Sequence, residues 1–74
     1  MISLNELPLH CKARIVQVDD SFLELQMISK GLITGGIIEV SRKTLGGTCL
    51  YVDTNTHAIA LQKTLANNIY VEEI

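Results

Sequence analysis

Two histidines and two cysteines, His10, Cys11, Cys49 and His57, are the only imidazole and thiol groups in this chain. Neutral imidazole and thiolate together suit zinc or ferrous iron. His10 and Cys11 are adjacent, whereas Cys49 and His57 flank a predicted hairpin. The spacing permits convergence without requiring it. Each also has an ordinary use, Cys49 as a small half-buried strand residue and His57 at a turn. Two cysteines without a C-x-x-C pair do not build a structural zinc site alone, and in a reducing compartment they are free thiols. A catalytic Cys–His pair is a further, less favoured use of the same residues.

Other chemistry is scarce. No G-x-x-x-x-G-K, G-x-G-x-x-G, H-E-x-x-H or G-x-S-x-G occurs. Asp19 and Asp20 adjoin, but successive side chains of an extended chain point to opposite faces. They suit a strand end leading into a helix cap better than an acid–base pair. Gly35-Gly36 and Gly46-Gly47 lack the following lysine or helix that phosphate binding needs, and read as hairpin turns. With no carboxylate cluster, nucleophile or cofactor cradle, neither an enzyme nor a bound cofactor is expected.

Composition narrows the class further. The 74 residues are 47% hydrophobic and 19% charged, with a net charge of −2. That is one small domain, residues 1–74, and too apolar to be disordered. The longest charge-free stretches, Thr44–Val52 and Thr54–Gln62, are far short of the ~20 apolar residues that span a bilayer. Glu6, Lys12, Arg14, Asp19 and Asp20 leave no signal-peptide core in the first part of the chain, so a cytoplasmic domain is expected. Six Lys/Arg are scattered among eight Asp/Glu, with one Phe, two Tyr and no Trp. Neither a phosphate-binding patch nor a base-stacking platform emerges, which argues against nucleic acid.

Turn signals at Gly35-Gly36, Gly46-Gly47, Thr54-Asn55-Thr56 and Asn67-Asn68 separate short β-rich runs. These are Lys12–Asp19, Ile37–Arg42, Cys49–Asp53, Ala58–Gln62 and Ile69–Glu72. Ile38 and Val40 alternate with Glu39 and Ser41, and Ile69 and Val71 with Tyr70 and Glu72. The pattern predicts a half-buried antiparallel sheet in a small barrel or sandwich. Residues 1–11 form a leading segment in which Leu4, Leu7 and Leu9 pack over a barrel end and Pro8 fixes a turn. One helix is expected, Phe22 to Lys30, opened by a Ser21/Glu24 capping box and closed by Gly31 at C′. Phe22, Leu25, Ile28 and Leu32 make one apolar stripe, and Leu23 with Met27 a second, about 140° away. Either the barrel covers both stripes, or one stays open for a partner.

The run KGLITGGIIEVSRKTLGG resembles the centre of the FeoA family, the ferrous iron transport protein A group. Gly31-Leu32 matches the family's G-L after the helix, and Gly35 its turn glycine. Ile38 and Val40 match the next strand, and Leu45-Gly46 the L-G of the following turn. Ala60-Leu61 with Lys63, then Ala66 and Ile69-Tyr70-Val71, match its A-L-R-K and A-x-x-I-x-V endings. Leu4, Leu7 and the KARIV stretch fit the opening. The likeness covers nearly the whole chain. Departures are Thr34 and Thr44 for prolines, Gly47 for aspartate, Gln62 for arginine, and Glu24-Leu25-Gln26 where the helix is often basic.

The resemblance implies a mainly β fold, a small SH3-like β-barrel of about five strands with one α-helix inserted after the first strand. It also implies a cytoplasmic accessory of FeoB, the membrane ferrous iron transporter with a cytosolic GTP-binding part, with no catalytic centre. The same fold occurs as the C-terminal domain of iron-dependent repressors. Three functions follow as expectations. The first is a regulator that contacts the transporter through Phe22, Leu25 and Gln26. The second is a direct ferrous iron carrier or sensor using His10, Cys11, Cys49 and His57. The third is a homo-oligomer formed through open strand edges or a shared helix groove.

Overall fold

Alternation decides which side chains go inside. Ile38 and Val40, Leu50 and Val52, Ile69 and Val71, and Ala13 with Ile15 are all buried, while their chain neighbours face outward or lie at the boundary. Residues 1–74 are all described in a computed structural model. The strands are β1 (Ile2–Ser3), β2 (Lys12–Val18), β3 (Ile37–Lys43), β4 (Cys49–Asp53), β5 (Ala58–Gln62) and β6 (Ile69–Glu73). They form one sheet in the order β1-β6-β2-β3-β4-β5, antiparallel throughout. Register shifts at Ile15/Gln17 in β2 and Val40/Arg42 in β3 bend the sheet around the core, as bulges do. Ser41, at the second shift, donates its hydroxyl to the Asp53 carboxylate at 3.2 Å. The sheet is not closed: β1 and β5 are its two edges.

Six strands stand where about five were expected, and the addition is β1. Ile2 pairs with Val71 and Ser3 with Tyr70, so the helix follows the second strand. The leading segment then makes a 3-10 turn, Leu4–Glu6. Leu4 and Leu7 are fully buried as expected, but Leu9 is 44% exposed. A one-turn helix α2 (Lys63–Ala66) precedes β6 and buries Ala66. Asn5 fastens the two turns together, its side-chain amide donating to the Lys63 carbonyl at 2.8 Å and to the Asn67 side-chain oxygen. Gly46-Gly47 does turn the β3–β4 hairpin, with φ of 89° and 72°. Gly35-Gly36 does not turn a hairpin; it links helix to strand, with Gly35 N–H donating to the Ile15 carbonyl at 2.7 Å.

The principal helix α1 spans Ser21–Ser29, one residue earlier than expected, because its cap is Asp20 and not Ser21. The Asp20 carboxylate accepts from Phe22 N–H at 2.8 Å and Leu23 N–H at 3.4 Å. Aspartate caps as well as serine does, and its charge also complements the positive end of the helix dipole. Asp20→Ala should cost about 1 kcal/mol, read as a lower urea midpoint. At the other end Leu32 N–H donates to the Met27 carbonyl (2.8 Å) and Gly31 N–H to that of Ile28 (3.0 Å). This is the Schellman arrangement, with Gly31 at φ +90°.

Candidate functional site

Leu23 and Met27 are the two α1 residues sunk into the core, at 5% and 1% exposure. At about 100° per residue they centre the buried face, and Leu25 falls roughly opposite, with Phe22 and Ile28 about 60° to either side. Those three are 70% (Phe22), 67% (Leu25) and 48% (Ile28) exposed. Gln26 is exposed on the flank, one turn from Phe22. The helix therefore carries one covered stripe and one open one. Leu32 does not continue the open stripe. Gly31 turns the chain, and Leu32 enters the core at 2% exposure. Of the partner-facing residues expected from sequence, Phe22 and Leu25 lie on the open stripe, and Gln26 is exposed on its flank. Ile28 belongs with them; the wheel already placed it in their stripe.

The four soft ligands are not brought together. No group of three or more His, Cys, Asp or Glu side chains is arranged to hold a metal ion. His10 sits in the left-handed region (φ 65°). Its N–H donates to the Val40 carbonyl at 2.8 Å, and its Nδ1 lies 3.8 Å from Glu39 Oε2. Cys11 is half-buried against the core. Cys49 is half-buried on β4, and its N–H donates to Thr44 Oγ1 at 3.0 Å.

His57 is engaged structurally. Its Nε2 lies 2.8 Å from the Lys30 carbonyl. A carbonyl only accepts, so Nε2 carries the proton and donates. In the neutral ring Nδ1 then accepts from the Thr56 hydroxyl at 2.7 Å. The ring thus satisfies a carbonyl at the C-terminus of α1, one of the groups a helix leaves open, and ties α1 to the β4–β5 turn.

Asp19 is also occupied near the start of α1. It accepts from Gln17 Nε2 at 2.9 Å and lies near the Tyr70 hydroxyl. Asp19, as a hydrogen-bond acceptor and then through its charge, raises the Tyr70 pKa above 10.0. A raised phenol favours the protonated form in the folded state. The contribution of Asp19 through Tyr70 is therefore present below pH 10.0 and is lost as pH rises through the folded value.

Known proteins bear on this architecture. Among curated proteins, none matches the chain significantly. The FeoA protein of Chlorobium tepidum shares the fold at a TM-score of 0.90 and 22% identity, over 99% of this chain and 70% of that one. The Stenotrophomonas maltophilia FeoA complexed with zinc, described as a prokaryotic SH3 domain protein and suggested as a bacterial ferrous iron transport activating factor, aligns at a TM-score of 0.82 and 26% identity, over 97% of this chain and 91% of that one. A manganese-dependent transcriptional repressor contains the same fold, at a TM-score of 0.87 and 13% identity, over 97% of this chain but 36% of the repressor. The model of the FeoA domain matches residues 2–73, and with nearly every residue accounted for, the chain belongs to the FeoA family.

Proposed function

We propose that this chain is a cytoplasmic accessory of bacterial ferrous iron uptake that regulates Fe2+ transport by docking on the cytosolic, GTP-binding part of a FeoB-type membrane transporter. The transport role extends the one suggested for the S. maltophilia relative. The observation that carries the docking mode is the open stripe of α1, where Phe22, Leu25 and Ile28 stay exposed while Leu23 and Met27 fill the core. Three large apolar side chains on one short helix are costly to leave in water unless a partner covers them. Gln26 supplies a neutral polar contact at the rim. Helix α1 has one acidic residue, Glu24, and no basic one, so docking is carried by apolar contact more than by charge.

Calorimetric titration against the transporter's cytosolic part, with GTP analogue, GDP or no nucleotide, tests this. Binding is expected to change little with added salt, because screening weakens only charge-driven contact. Leu25→Glu should weaken it roughly tenfold or more, since about 1.4 kcal/mol of lost contact is tenfold in affinity. Unchanged affinity in a Leu25→Glu variant with a wild-type circular dichroism melt would rule out this docking face. No binding in any nucleotide state would rule out the cytosolic part as the target.

A further inference from the structure

One edge of the sheet is unprotected, and its register fits a second copy of itself. Thr54 N–H donates to the His57 carbonyl at 2.8 Å, and Lys63 N–H to the Thr48 carbonyl at 2.9 Å. Both pairs continue the β4–β5 register, in which Val52 faces Ile59 and Leu50 faces Leu61. Hydrogen-bonded pairs in an antiparallel ladder alternate. His57, Ile59, Leu61 and Lys63 therefore turn their peptide groups toward β4. Ala58 and Ala60 turn theirs away from the sheet, and no bond outside the ladder takes them up.

Edge strands are usually blunted by shortness, charge, proline or a bulge. The other edge, β1, is only two residues long. β5 runs five residues, Ala58 to Gln62, with no charge and no proline, and its pairing with β4 shows no register shift. Its outward side chains at Ala58 and Ala60 are exposed and small, so they leave the edge open to an approaching backbone. Ile59, on the inner side, is only half-buried.

We infer that β5 pairs antiparallel with β5 of a second copy, about a two-fold axis through Ala60. In that register Ala60 faces Ala60, Ala58 faces Gln62, and Ile59 faces Leu61. The outward peptide groups of Ala58 and Ala60 then all find partners. The inner apolar row runs on from one copy into the next and covers Ile59. Each copy has a net charge of −2, yet the paired segment is neutral, so like charges do not meet along the strand. The first charge beyond it, Lys63, falls opposite His57 and not opposite the second Lys63. A five-residue pairing buries much less than the ~1,600 Å² of a standard stable interface. The dimer is therefore weak and grows with concentration.

Sedimentation of the full chain from about 20 μM to about 2 mM, a range that brackets a millimolar dissociation constant, tests this. The weight-average mass should climb from 8.2 kDa toward twice that value. Hydrogen exchange at the Ala58 and Ala60 amides should slow over the same range. Ala60→Pro should hold the mass at the monomer value while sparing the ladder to β4, because this N–H points outward. Ala60→Lys should do the same by charge, and carries the test if the proline variant melts early. Leu25→Glu, on the helix stripe, should leave the dimer intact. A strict monomer across the range overturns the inference. So does a dimer that survives both Ala60 variants, or one that Leu25→Glu abolishes.

Discussion

Leu7→Ala should cost about 2–5 kcal/mol, the range for emptying a fully buried leucine site. Leu7 is 0% exposed although it belongs to no strand or helix. It follows the 3-10 turn, and its N–H donates to the Leu4 carbonyl at 3.3 Å. The turn thus fixes two leucines, Leu4 and Leu7, against the core from one short segment. Small domains are stable by roughly 5–15 kcal/mol, so this one truncation removes a large part of the total. Urea unfolding should show a much lower midpoint with an unchanged slope. Leu9→Ala, two residues on and 44% exposed, should shift stability by under about 0.5 kcal/mol. Equal effects from the two would mean that the leading segment is not part of the core.

Gly31→Ala should be the most damaging substitution at a turn, at about 1–3 kcal/mol for the backbone alone. Gly31 has φ +90°, and a Cβ placed there would lie 3.1 Å from His57 Cε1 and 3.4 Å from His57 Nε2. Two penalties coincide, a left-handed backbone and a ring that must move off the Lys30 carbonyl. A double-mutant cycle separates them. His57→Ala removes the obstruction but not the backbone strain, so Gly31→Ala should cost less in that background, with a measurable coupling energy. Simple additivity would show that the ring does not press on this position.

Much of this arrangement is legible in the residues. The alternation at Ile38/Val40 and Ile69/Val71 marks inward faces directly, because a strand's side-chain period is two. Gly31 marks the helix end, because few other residues adopt positive φ. Other features lack such a signal. Ile2–Ser3 is too short to show a period, and Lys63–Ala66 has no side-chain cap. The Asp20 cap was hidden by Ser21, since two good capping residues in succession leave the choice to tertiary geometry. The open stripe was visible as apolar residues on two sides of one helix. Which side faces water depends on where the sheet lies, and local sequence does not encode that. His57 reads as a turn residue or a ligand; its bond to the Lys30 carbonyl spans twenty-seven positions and leaves no local trace.

The pairing of Ile2 with Val71 and of Ser3 with Tyr70 also governs how the chain reaches this state. A strand near one end of the chain must wait for a strand near the other, and contacts of such sequence separation are slow to form. During synthesis Leu4 and Leu7 emerge early, yet the strand beside their segment is completed only when β6 arrives. Until then the nascent chain exposes two leucines destined for the core, as incomplete chains commonly expose apolar surface. The β3–β4 and β4–β5 hairpins, joined by short turns, have no such wait. Folding should therefore proceed from the hairpins outward, and chains shortened before Val71 should fail to bury Leu4 and Leu7.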